Sequence, residues 1–266
     1  YRGETIILFE NSYPLFNSGR LLKIDMLKEL RDFPREFFNI NFEKYSDGII
    51  GGCGTDVTDD FIIVKKGMIK HNNILYLLKE DAAVAYECNN KITLLKVKFL
   101  PETKDSDFKR NSTEIYLDEN TEIKENEIEI CRFQLRNGAY LRIDYVDFND
   151  LATEYDTVNL IYAPYAAYEE SSLCPEILRR FGSELLKCKL EDPWDIAFGM
   201  NCIQSKEPIQ KEIIIDYLAY KLNIEEKQYS NEDIYYYLLD VLNKAKDGIG
   251  NGGDHGRRGF KKILID

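Results

Sequence analysis

The residues of this sequence best suited to nucleophilic or metal chemistry are two histidines, His71 and His255, and six cysteines, Cys53, Cys88, Cys131, Cys174, Cys188 and Cys202. The cysteines form no C-x-x-C pair, so zinc-ribbon and thioredoxin chemistry find no support, and the thiols read as reduced small hydrophobes. Two imidazoles far apart in sequence leave little material for a His-based metal site or a Ser-His-Asp triad. An acidic run offers Asp144, Asp147, Asp150, Glu154 and Asp156. Several converging carboxylates could collect Ca²⁺ or Mg²⁺, and the pair Asp144 and Asp147 could serve acid/base chemistry. The run lacks the D-x-[DN]-x-[DN]-G loop signature and reads first as a solvated connector. No catalytic, cofactor-binding or metal-ligating residue is assigned.

Nucleotide chemistry has one candidate, "YSDGIIGGCGTDVTDDFIIVKKGMIK", which gathers Gly48, Gly51, Gly52, Gly54 and Gly67. A phosphate loop needs its glycines between a strand and a helix, where backbone N–H groups and the helix dipole meet the anion. These glycines join strand to strand, and the chain holds no G-x-x-x-x-G-K-[ST]. They are expected to form turns, bulges and close backbone crossings in a small β-domain.

The elements that must position these residues fall into two blocks. "RLLKIDMLKELRDF" has near-helical apolar spacing, with Asp25 and Arg31 leaving open a strand followed by a short helix, and Pro34 interrupts it. Strand patterns then run to about residue 146, with a tight turn at His71-Asn72-Asn73 and a hairpin at Asn137-Gly138. A change of alternation phase between Ile128, Ile130 and Cys131, Phe133, Leu135 predicts a β-bulge. Beyond residue 147 the pattern is helical, with starts at Cys174-Pro175, at Asp192-Pro193 and at a capping box formed by Ser230 and Asp233. Strands followed by helices, without alternation, predict an α+β fold: a β-rich domain over 1–146 as a small sandwich or barrel, containing the glycine-rich module at 45–80, and a helical domain over 147–247. Residues 248–266 read as a flexible basic tail ending in a short strand, "FKKILID".

The net charge of −12 opposes non-specific binding to nucleic acid or anionic lipid. No apolar run approaches the roughly 20 residues that span a bilayer. The start, "YRGETIILFE", shows no secretory pattern. Candidate interface residues are Tyr162, Tyr165, Tyr168, the consecutive Tyr235, Tyr236 and Tyr237, and Arg257 and Arg258 of the tail. Three successive helical tyrosines cannot all face one core, and Tyr is favoured at interfaces.

The cadence "DGIIGGCGTDVTDDFIIVKKGMIKHNNILYLL" resembles a module of phage tail, baseplate and tail-fibre-attachment proteins. The stretches "YRGETIILFENSYPLFNSGRLLKIDML", "CRFQLRNGAYLR" and "ATEYDTVN" resemble a family of Firmicutes proteins encoded beside phage-tail-like genes, some carrying the label "DNA and RNA helicase". The missing P-loop speaks against that label. The resemblance implies a non-enzymatic subunit of a phage tail or contractile injection particle, in the baseplate or its periphery. It would be oligomeric, cytoplasmic during assembly, and partnered by other tail or baseplate subunits. The alternative is a nucleic-acid-associated protein binding through the basic residues Lys244, Lys246, Arg257, Arg258, Lys261 and Lys262.

Overall fold

The structure is a computed structural model that describes residues 11–225 and 227–247. The chain divides into two compact units, Tyr1–Tyr45 and Ser46–Asp266. The expected N-terminal strand "ETIILFE" and the tail strand "FKKILID" lie outside the described residues.

In the first unit, helix α1 spans Ile24–Phe42. Pro34, expected to interrupt the pattern, lies inside the helix, which continues past it. A proline removes one amide donor and crowds one turn. The run of good helix formers around it, with Asp25 in the first turn, carries the helix across that gap. None of residues 11–45 is buried.

The second unit opens with strands β1 (Gly48–Gly52), β2 (Thr55–Val57), β3 (Phe61–Val64), β4 (Gly67–His71), β5 (Ile74–Leu78) and β6 (Ala82–Ala85). They form two antiparallel three-stranded sheets, ordered β1-β4-β5 and β2-β3-β6. Asn72 and Asn73, both at positive φ, make the two-residue turn between β4 and β5, as residues tolerant of that conformation do. A third sheet sets β7 (Ile92–Phe99) between β10 (Thr113–Asp118) and β11 (Glu127–Gln134), while β8 (Thr103–Lys104) and β9 (Lys109–Arg110) form a small hairpin. Among the described residues the strands thus fall into three three-stranded sheets and one two-stranded hairpin. The β11–β7 register shifts between Glu129 and Cys131, where the alternation changes phase.

β7 and β11 are buried nearly throughout. This enclosure reaches Lys96, whose ammonium donates to Asp118 Oδ2 at 3.0 Å and to the Glu122 carbonyl at 2.6 Å, with Glu127 at 3.6 Å. A charge out of water requires such partners.

Asn137-Gly138 turns the chain but builds no hairpin. Only Gly138 has positive φ, and the Ala139 amide donates to the Arg136 carbonyl, which makes a type II turn instead of the I′ turn a two-residue hairpin favours. The following segment pairs with 156–158: the Arg142 amide donates to the Asp156 carbonyl and the Val158 amide to that of Arg142.

Helices α2 (Pro175–Leu185), α3 (Pro193–Gln204), α4 (Lys211–Leu222) and α5 (Asn231–Asp247) complete the α+β order. The two proline-led starts and the Ser230–Asp233 capping box are formed; the Asp233 amide donates to Ser230 Oγ at 3.1 Å and the Ser230 amide to Asp233 Oδ2 at 3.0 Å. One apolar core runs from Ile49 through Phe133, Phe148 and Phe181 to Leu242. This core takes in residues on both sides of residue 146, and Phe148 packs between Phe181 and Tyr235.

Candidate assembly interface

The glycine module is a backbone crossing. A Cβ on Gly67 would lie 2.3 Å from the Cys53 nitrogen, and one on Gly52, at φ +67°, 2.3 Å from the Lys66 carbonyl oxygen. Gly48 meets the backbone at Pro164, whereas Gly51 and Gly54 face open space. The loops lead from strand to strand and present no helix N-terminus.

Four of the six cysteines, Cys53, Cys131, Cys174 and Cys202, are buried, while Cys88 is exposed. Burial pushes the Cys53 thiol up to about 11 and that of Cys202 up to about 12, and raises those of Cys131 and Cys174. A thiol so shifted is not a thiolate at neutral pH. His71 stacks on Phe99 at 3.9 Å and approaches Asp47 at 3.2 Å; His255 lies outside the described residues. In the acidic run, Asp150 accepts two hydrogen bonds from Arg142 at 2.6 and 2.7 Å, which hold its carboxyl well below the usual range. Asp156 is engaged by Arg136, and Asp147 accepts from the Asp150 amide at 3.0 Å. Among the described residues no group of three His, Cys, Asp or Glu side chains is placed to hold a metal ion.

The structure separates the six tyrosines proposed for an interface. Tyr165 and Tyr235 are core residues, the latter fully enclosed with its hydroxyl donating to the Phe148 carbonyl at 2.7 Å, so neither presents a surface to a partner. Tyr168 and Tyr236 are exposed, and Tyr237 lies half-buried against Tyr229. Tyr162 sits beneath Arg132, whose guanidinium is 3.4 Å from the ring centroid, and donates to Glu232 Oε1 at 2.5 Å. Burial and Glu232 together raise its phenol well above the ordinary value. Arg132 is in turn held by both oxygens of Glu129 at 2.6 Å. The cleft of about 320 Å³ beside them is lined by Arg132, already paired with Glu129, by Glu154 and by Tyr162, whose phenol keeps its proton. Arg257 and Arg258 lie outside the described residues.

In the second unit, an exposed apolar surface lies on α3 and α4. α3 buries Phe198, stacked on Tyr217 at 4.0 Å, and Cys202, and its Gly199 carbonyl comes within reach of Gly182 on α2. Its outer side is also apolar: Ile196, Met200 and Ile203, at i, i+4 and i+7, are exposed along it. At its first turn Trp194, 56% exposed, meets the ring of Tyr220 on α4 at 5.2 Å, with Ile213 exposed on the same side of α4. A polar network fixes this face from beneath. Asp192 caps α3 through the Trp194 amide, Lys221 donates to Asp192 at 2.8 Å and to Asp195 at 2.9 Å, and the Tyr217 hydroxyl donates to Asp195 at 2.8 Å. Sequence reasoning took "WDIAFGMNCIQ" as a helix and passed over this feature. The available signal was a pair of successive helices, α3 and α4, with apolar residues nearly all round, beside the amphipathic α2 and α5.

Comparison with protein-family models gave no match, and neither did comparison with curated proteins. Among solved structures, a crystal structure of TssK is similar over 91% of this chain and 73% of that chain, with a TM-score of 0.41 and 8% identity. A cryo-electron microscopy structure of the type VI secretion system TssK-TssF-TssG baseplate subcomplex is similar over 90% of this chain and 100% of that chain, with a TM-score of 0.39 and 7% identity. A likeness this loose assigns no function to the chain. No helix among the described residues is long and apolar enough to cross a membrane.

Proposed function

We propose that this protein is a non-enzymatic structural subunit of a contractile injection particle, of the phage-tail type, placed in the baseplate or its periphery and partnered by other baseplate subunits. The observation that carries a structural role is the outer side of α3 and α4, where Trp194, Ile196, Met200, Ile203, Ile213 and Tyr220 remain exposed on a rigid base. Clusters of large apolar side chains on a surface mark protein contact sites, and aromatic residues and Met are enriched there. The resemblance of the 45–80 module to tail and baseplate proteins supports the particle class. The paired carboxylates, protonated thiols and closed Arg132–Glu129 and Tyr162–Glu232 contacts suit a scaffold.

Production together with the chromosomal neighbours, followed by gradient sedimentation and electron microscopy of the heavy fraction, tests the reading. The chain is expected in sheathed or tail-like particles, and Met200→Glu combined with Ile203→Glu is expected to shift it to the light fractions while it stays folded. Recovery only in light fractions would overturn the proposal.

A further inference from the structure

The apolar face of α3 and α4 lies within reach of a matching segment of the same chain. α5 runs to Asp247, and Lys246 bridges to Glu184 in the last turn of α2 at 2.8 Å. The loop 186–192 leads from that turn to the start of α3, so α5 hands the chain on at the end of the helices where Trp194 begins the face. Residues 248–259 can span up to about 40 Å, against about 18 Å for the length of α3. They lead to "FKKILID", where Phe260, Ile263, Leu264 and Ile265 accompany Lys261 and Lys262. The face offers the complement. Asp216 on α4 lies three residues after Ile213 and four before Tyr220, hence beside both on the helix surface, with Glu212 one turn away. Both carboxylates are exposed, and neither has an ion-pair partner among the described residues. Arg179, exposed three residues before the Gly182 that meets α3, stands at the other border and turns the two lysines toward α4.

We infer that residues 260–266 fold back over the α3 and α4 face of the free subunit and cover Trp194, Met200 and Tyr220, with Lys261 and Lys262 toward Glu212 and Asp216. Tether and charge decide for this occupant over a second copy. A tethered segment meets its site at an effective concentration of about millimolar, with no second molecule required. Residues 248–266 carry four basic side chains against two acidic ones, whereas the whole chain stands at −12. A second copy therefore approaches against a repulsion that this segment does not meet.

As regulation of assembly the inference rests on the reading above, a baseplate partner displacing the segment from the face. Its test uses the isolated full chain, so that coverage and assembly can fail separately. Trp194 is the one tryptophan of the sequence, and its fluorescence reports on this face alone. Phe260→Glu with Leu264→Glu is expected to move the emission to longer wavelength and to raise its quenching by acrylamide. The circular dichroism spectrum should stay unchanged, because the core lies between Ile49 and Leu242. Glu212→Lys with Asp216→Lys should shift the emission the same way, and adding Lys261→Glu with Lys262→Glu should bring it back. Emission and quenching that are equal in the unaltered chain and the Phe260→Glu, Leu264→Glu variant would overturn the inference, as would a charge exchange that restores nothing. So would an emission that shifts with protein concentration over the micromolar range, because the cover would then be a second copy.

Discussion

At Gly67 an added methyl group would press on the Cys53 nitrogen at 2.3 Å and the Gly51 oxygen at 2.7 Å, both backbone atoms that cannot rotate away. Gly67→Ala is therefore expected to destabilise the fold by about 1–3 kcal/mol, while Gly51→Ala, facing open space, should stay within about 0.5 kcal/mol. Thermal unfolding of the two variants makes the comparison. The absence of a phosphate loop was legible in residue order, but which glycine is indispensable was not, because it depends on where β4 crosses the segment after β1. Asp150 gives a second prediction. Its folded carboxyl is held below the unfolded value of about 3.9 by Arg142, so its contribution is present above that value and is lost as the pH falls from about 4 toward the folded value. Asp150→Asn should lower stability at pH 7 and flatten its decline between pH 5 and 2. Denaturant unfolding across that range would measure both effects, and an unchanged acid limb would show that other carboxylates set it. The sequence placed Asp150 in an acidic run and could not show that Arg142, eight residues earlier, would turn back to neutralise it.

Among the elements, α3 separates stability from assembly. Lys221 links α4 to Asp192 and to the buried Asp195, so Lys221→Ala leaves Asp195 with Tyr217 as its remaining side-chain partner and is expected to cost roughly 1–3 kcal/mol. Trp194→Ala removes an exposed ring whose described aromatic contact is Tyr220, and should cost less than about 1 kcal/mol. If the face serves assembly, the second variant is the more damaging to particle entry and the less damaging to melting temperature. Equal effects on both readouts would mean that Trp194 acts only through the fold. Helix starts were legible because their signals are local: Cys174-Pro175, Asp192-Pro193 and the Ser230–Asp233 box each satisfy free amides or fix φ within one turn. Non-local competition defeated the others. The segment after Asn137-Gly138 alternates like a strand, yet its amides pair with 156–158, and Pro34 disrupts too little of α1 to end it.

At the scale of the whole molecule, the blocks of strands and helices announced an α+β order, while the sharing of one core across residue 146 depends on contacts such as Phe148 with Tyr235, 87 residues apart, that no local pattern contains. The net charge of −12 supplies the last prediction, because it separates the two functional readings by sign. Copies of one acidic subunit repel each other, and salt shortens that repulsion, with a screening length of about 10 Å at 0.1 M falling to about 3 Å at 1 M. Burial of Trp194, Met200 and their neighbours is not weakened by sodium chloride in that way. Entry into particles is therefore expected to hold or rise between 0.1 and 0.5 M salt, read as the heavy-gradient fraction. Binding through the basic tail residues to nucleic acid would fall steeply over the same range, because each neutralised phosphate releases counterions into a bath already rich in them. A heavy fraction that disappears with salt, and with nuclease, would favour the tail over the apolar face as the binding element.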